Sequence, residues 1–341
     1  MKKLLVSTLA VSALAAVAVA APPTPTFVKN INVGTVCQAP VDVIAVAGDL
    51  YVLGFNDKKV AKVTTPAGTE AVSLFTDVSA ATVWGSGRGP QGIMFDNNEF
   101  YVSGDNGTDG FIGVYNAAGA ELRKTNLAAT RLVCVASLDS DSLVAGKSNS
   151  STLITIKKSD LTNEASDSVL PSVGWRAPIR KIQVDSTGII YYANTNTTAA
   201  PAGHKLGKVT PGATPGNLTQ YTFVEWYGPD FSEGSPATIG IAPFSRGAES
   251  WMLFVNTGSV GPTPAANNPS IKFVNTATGV SDLSFEDTTN FNGNIRGVVT
   301  ANIGGTDYLF VANSASPDAG APNQVHVYSL GASSVADWSI Y

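Results

Sequence analysis

Pro40-Val41-Asp42-Val43-Ile44-Ala45-Val46, then Gly48-Asp49, then Leu50-Tyr51-Val52-Leu53-Gly54 reads as two short apolar strands joined by a tight polar turn. The same order recurs five times. Pro90 to Phe95 leads through Asp96-Asn97-Asn98-Glu99 into Phe100-Tyr101-Val102-Ser103-Gly104, and Arg131 to Leu138 leads through Asp139-Ser140-Asp141 into Ser142 to Gly146. Pro178 to Val184 precedes Ile189 to Ala193, Pro236 to Ala242 precedes Trp251 to Val255, and Ile295 to Ala301 precedes Tyr308 to Ala312. A third strand follows each pair, as at Val60-Ala61-Lys62-Val63 and Val325-His326-Val327-Tyr328. A weaker fourth strand, such as Glu70 to Phe75, closes the unit. No convincing amphipathic helix appears.

First strands begin near residues 41, 91, 132, 179, 237 and 295. Four strands repeated every ~40–50 residues are the mark of a β-propeller. A β-sandwich pair would not need six copies of one strand order, and a β-solenoid would have shorter, more uniform rungs. The expectation is an all-β, six-bladed propeller with four-stranded antiparallel blades, formed by residues 21–341 as one domain. The stretch Phe27 to Val33 reads as a strand that joins the last blade and closes the ring. The run Ala336 to Tyr341 competes for the same outer position, and the sequence does not decide between them.

The second unit carries a more specific pattern. Pro90-Gln91-Gly92-Ile93-Met94-Phe95-Asp96, Phe100-Tyr101-Val102-Ser103, Ile112-Gly113-Val114-Tyr115-Asn116 and Gly119 together resemble an NHL-type repeat; the other five units match more loosely. The resemblance implies the broad six-bladed group of NHL, TolB-like and SMP-30/gluconolactonase-like proteins. That group holds scaffolds, binders and calcium-dependent lactonases, so the fold alone does not set the function.

Only 14% of the 341 residues are charged, 44% are hydrophobic and the net charge is −5, which argues against a disordered chain and against a basic nucleic-acid surface. Met1-Lys2-Lys3, the uncharged run Leu4 to Val17 and the small-residue site Ala18-Val19-Ala20 form the pattern of a cleaved signal peptide over residues 1–20. A retained anchor is the alternative, since 18 uncharged residues run from Leu4 to Ala21. The expectation is a secreted or periplasmic protein with no membrane span after cleavage. Two cysteines, Cys37 and Cys134, permit one disulfide but do not establish its geometry.

In such a propeller, the loops before first strands and after second strands share one face, the top. These are also the long loops, which favours a site there. Counting two residues past the proline, or its counterpart, places Asp42, Gly92, Leu132, Arg180, Thr238 and Arg296 around the channel mouth. Two readings stand: an ion-paired plug, with Asp42 neutralising one arginine, or a cup for a carboxylate or sugar acid. Trp175, Trp226 and Tyr227 are candidate stacking walls, or loop packing. Asp105-Asn106-Gly107-Thr108-Asp109-Gly110 has a superficial likeness to a calcium loop but lacks the closing Glu, so it reads as a turn. The lactonase-like resemblance implies calcium held by Glu233 and by Asn292 or Asn294. With two histidines and no nucleophile or nucleotide motif, the leading expectation is non-enzymatic binding of a small molecule, glycan or protein on the top face, with no cofactor. A calcium-dependent lactonase-like hydrolase and a structural surface protein are the alternatives.

Overall fold

The structure, a computed structural model, describes residues 21–147, 150, 152–169, 179–194, 205–212, 217–227, 236–259, 269–291, 294–314 and 323–332. It is a six-bladed β-propeller of six four-stranded antiparallel sheets. Blade 1 is Pro40–Val46, Asp49–Gly54, Lys59–Thr64 and Ala71–Asp77. Blade 2 is Gly89–Asp96, Glu99–Asp105, Gly110–Tyr115 and Glu121–Leu127, and blade 3 is Leu132–Ser137, Ser142–Lys147, Thr152–Lys157 and Asn163–Val169. Blade 4 is Ile179–Val184, Ile190–Asn194, Lys205–Thr210 and Thr222–Tyr227. Blade 5 is Pro236–Arg246, Glu249–Ser259, Ser270–Asn275 and Ser281–Glu286. Blade 6 runs outward from Asn294–Ile303 through Thr306–Ser314 and Gln324–Ala332 to the N-terminal strand Thr26–Asn32. Among the described residues, the single 3-10 turn Leu218–Gln220 is the only helical element, and no helix is long and apolar enough to cross a membrane.

Each blade is apolar on both faces because each face meets a neighbour. Leu50 and Val52 pack toward blade 6, whereas Tyr51 and Leu53 pack toward blade 2, the period-2 alternation of a strand buried on both sides. The six hydrophobic clusters are the six blade interfaces. The cluster between blades 6 and 1 contains Ile31, Val33, Phe310 and Val43, so the N-terminal strand helps weld the ends of the ring. Its partners run from Thr26↔Ser329 to Asn32↔Gln324, which settles the outer strand of blade 6. Residues 333–341, the competing segment, lie outside the described residues.

Cys37 and Cys134 are both buried free thiols. They stand in different blade interfaces, Cys37 between blades 6 and 1 and Cys134 between blades 3 and 4. Burial pushes the Cys134 thiol up to about 12 and also raises Cys37, where Asp57 adds to the effect.

Candidate functional site at the channel mouth

Every first strand carries a register irregularity near its top end. It lies between Pro40 and Asp42, Pro90 and Gly92, Leu132 and Cys134, and Ile179 and Lys181 in blades 1 to 4. In blades 5 and 6 it spans Pro236 to Ile241 and Ile295 to Val298. A β-bulge of this kind inserts an extra residue and re-aims the side chains that follow. The extra residues in blades 1 to 4 are Val41, Gln91, Val133 and Arg180; pairing resumes at Asp42, Gly92, Cys134 and Lys181.

This register corrects the expected alignment of Asp42 with Arg180. The structural counterpart of Pro40 and Pro90 in blade 4 is Ile179, not Pro178, so Lys181 matches Asp42 and Arg180 matches Gln91. A slip of one residue sends a side chain in a different direction. Asp42 is buried and ion-paired with Lys181. Its Oδ2 also accepts from the backbone N–H of Ile93 at 2.9 Å, and its Oδ1 accepts from that of Val43 at 3.0 Å. Blades 1 and 4 stand opposite each other in the ring, so the Lys181–Asp42 pair bridges the channel. Neighbouring first strands approach closely enough for this only where side chains are missing. A Cβ on Gly297 would stand 2.6 Å from the Asp42 Cα, and one on Gly92 would stand 3.0 Å from the Cys134 Cα. The plug is therefore built from Asp42 and Lys181, and Asp42 neutralises neither arginine.

Above the plug lie the guanidinium groups. Arg180 donates from Nη1 to Oε1 of Gln91 at 3.1 Å, reaching from blade 4 to the bulge of blade 2. Burial brings Arg180 down to about 10, and the positive charges of Arg296 and Arg88 add to the shift, which Asp105 partly opposes. Burial lowers Arg296 as well. Among the described residues its buried Nε has no hydrogen-bond partner. Asp105, fully buried at the top of blade 2, is gripped by Arg131 through Nε at 2.8 Å and Nη2 at 2.7 Å, and by Arg88 at 3.3 Å. The described part of the mouth thus holds Arg88 and Arg131 paired to Asp105, with Arg180 and Arg296 near one another beside them.

Sequence reasoning missed Gln91, Arg88, Asp105 and Arg131 as members of this group. Gln91 shares with Arg180 a bulge position that only the strand pairing reveals. Arg88 sits in the glycine-rich top loop, and Asp105 opens the Asp105–Gly110 segment. That segment is a turn: Asp105 Oδ1 accepts from Gly107 N at 2.7 Å, and Asn106 Oδ1 accepts from Thr108 N at 3.0 Å and Asp109 N at 2.8 Å.

Trp175, Glu233 and Asn292 lie outside the described residues. Trp226 and Tyr227 end the outer strand of blade 4, and Asn294 begins the inner strand of blade 6; only their backbone is described. Among the described residues no group of three or more His, Cys, Asp or Glu could hold a metal ion. His326 is structural in its contacts: Nε2 is 2.8 Å from Asn313 Nδ2, and Nδ1 is 2.6 Å from Asn30 Oδ1. Burial lowers it to about 4, so the ring is neutral and bonds the outer strand of blade 6 to its core.

No family model and no curated protein sequence matches the chain. Solved structures do. The major Malassezia sympodialis allergen Mala s 1 matches with a TM-score of 0.59 at 11% identity, over 89% of this chain and 96% of that one. The calcium-binding protein regucalcin from Agrobacterium tumefaciens matches at 0.56 and 10% identity, over 90% and 96%. The PQQ-bound aldose sugar dehydrogenase from Streptomyces coelicolor matches at 0.54 and 15% identity, over 91% and 99%. At these identities the likeness establishes the propeller fold and leaves the function to the site.

Proposed function

We propose that the chain is an exported binding propeller that takes a small anionic ligand, a carboxylate or sugar acid, at the top of its channel. The reading is supported chiefly by Arg296, whose buried Nε lacks a hydrogen-bond partner among the described residues and whose positive charge repels that of Arg180. Two mutually repelling guanidiniums in a partly desolvated mouth are stabilised by a bound anion, and their planar donors suit a carboxylate. The plug supports it indirectly, because Lys181 occupies Asp42 and removes the one first-strand carboxylate expected to compete. The NHL-type pattern of blade 2 agrees with a scaffold whose loops carry the binding groups. Export rests on residues 1–20 alone, and N-terminal sequencing of the secreted protein should find Ala21 or a near neighbour first.

Calorimetric titration with gluconate tests the site. A desolvated charge-assisted hydrogen bond contributes about 1.5–3 kcal/mol, so Arg180→Met or Arg296→Met should weaken binding roughly ten- to a hundredfold. Both variants should stay folded, since methionine keeps most of the side-chain volume and removes a charge that burial and the neighbouring guanidinium disfavour. Unchanged affinity in both variants would sink the anion cup. Stoichiometric calcium that is retained through dialysis and required for lactone hydrolysis would replace it with the lactonase reading.

A further inference from the structure

Beneath the Lys181–Asp42 plug the channel continues as a cavity of about 110 Å³. Apolar residues from every first strand line it, among them Val43, Ile93, Val135, Ile182, Ile241 and Val298. Ser137, Gln183, Val184 and Pro243 line both this cavity and a cleft of about 430 Å³, so the two adjoin. The cleft is bordered by Asp96, Asp139 and Asp185 at the ends of first strands, which places it on the bottom face. Its size falls in the ~300–1,000 Å³ range of small-molecule pockets.

The charges of this lower space do not cancel. Lys158 is bound to Asp96 at 2.6 Å and to Ser137 Oγ at 2.8 Å, with the Asp139 carbonyl as its third acceptor, so its ammonium is satisfied. Lys181 is committed to Asp42. Asp139 and Asp185 are left, and among the described residues neither is in an ion pair. Each uses Oδ1 to hold its own turn, and Asp185 also accepts from the Tyr191 hydroxyl, a neutral partner that leaves its charge uncompensated. Asp139 accepts from Asp141 N at 2.9 Å and Ser142 N at 2.8 Å; Asp185 accepts from Thr187 N at 2.9 Å and Ile189 N at 3.0 Å. Both carboxylates are half-buried on the cleft wall.

We infer that the bottom cleft and lower channel form a second site, for a linear aliphatic ammonium ion. The ammonium head lies in the cleft against Asp139 and Asp185, and the alkyl chain enters the apolar channel toward the plug. A carboxylate head would meet like charge there, and a neutral head would forgo the ion pairing. This site is separate from the anion cup, since the plug stands between them.

The test is calorimetry of the full chain with butyl-, hexyl- and octylammonium chloride, each below its micellar range, with octanol as the uncharged control. Affinity should rise about fourfold per added methylene, the equivalent of ~0.8 kcal/mol of burial each. Octanol should bind at least about tenfold more weakly than octylammonium, one decade being ~1.4 kcal/mol. Asp139→Asn with Asp185→Asn keeps the Oδ1 acceptors of both turns and should weaken octylammonium by about tenfold or more. Ala45→Leu narrows the channel and should remove the gain from hexyl to octyl. Arg296→Met should leave alkylammonium binding unchanged while weakening gluconate, so failure of one site is separable from failure of the other. Affinity independent of chain length, octanol binding as tightly as octylammonium, or a folded double Asn variant with full affinity would each overturn the inference. The chain-length series needs no variant, so a misfolded mutant does not shield the proposal.

Discussion

Replacing Lys181 by Met should unlock the centre of the ring. The substitution keeps most of the aliphatic stem and removes only the ammonium. It leaves the buried Asp42 carboxylate with two backbone donors, Ile93 N at 2.9 Å and Val43 N at 3.0 Å, and no counter-charge. Removing one partner of a buried pair costs about 3–5 kcal/mol, because the remaining charge is uncompensated. The two N–H groups offset part of this, so the lower end, about 3 kcal/mol, is expected. Adding Asp42→Asn should then recover stability, since it deletes the orphaned charge and retains an acceptor for a backbone N–H. The double variant is expected to be ~1–2 kcal/mol more stable than Lys181→Met alone, the sign that marks direct coupling. Urea unfolding followed by tryptophan fluorescence measures both, provided the slope is unchanged among variants. Lys181→Met within about 1 kcal/mol of the parent, or a double variant no better than the single one, would show that the pair does not bridge the channel as described.

Gly297→Ala should destabilise by roughly 1–3 kcal/mol, because the new Cβ would stand 2.6 Å from the Asp42 Cα and the seam between blades 6 and 1 must open; an unshifted urea midpoint refutes the packing. His326 should make the fold acid-sensitive. The unfolded ring takes a proton near 6.5 and the folded ring near 4, so the unfolded state binds more protons between those values and stability falls as pH falls through them. The full effect is on the order of 3 kcal/mol, and His326→Gln should flatten it in a comparison of midpoints across that window. Cys37 and Cys134 are buried and burial suppresses their ionisation, so neither should react with a thiol reagent until the protein unfolds, when both should; rapid labelling of the native state would contradict their placement.

Blade boundaries were legible because each signal was local. First strands expected near 41, 91, 132, 179, 237 and 295 begin at Pro40, Gly89, Leu132, Ile179, Pro236 and Asn294. Alternating apolar residues bounded by Gly, Asp and Asn suffice to mark a strand buried on both faces. The outer strand of blade 6 was readable as a strand, but not its place in the sheet. That place depends on pairing between Thr26–Asn32 and Gln324–Ala332, nearly the full chain apart, and two terminal segments had comparable patterns. A local pattern carries no information about which distant edge it joins.

The site was half legible for a different reason. The position of the arginines follows from the repeat, whereas their partners follow from the bulge, and a bulge leaves no mark in the alternation of Pro40 to Val46 or Ile179 to Val184. Counting from proline worked in blades 1 and 2, where Pro40 and Pro90 themselves pair with Gly54 and Gly104. It failed in blade 3, where Leu132 is level with Pro40 and not with Asp42, and in blade 4, where Pro178 precedes the first paired residue, Ile179. The offset in blade 4 exchanged the roles of Arg180 and Lys181. The exchange has a chemical logic. The flexible, compact ammonium of Lys181 crosses the narrow channel to a carboxylate, and the broad guanidinium of Arg180 stays in the mouth, where it donates to the Gln91 side-chain amide. Because Lys181 takes Asp42, that carboxylate is committed to the plug and not to Arg180 or Arg296. The same plug closes the lower channel from the top, so each end of the ring presents its own charge: guanidinium above, carboxylate below.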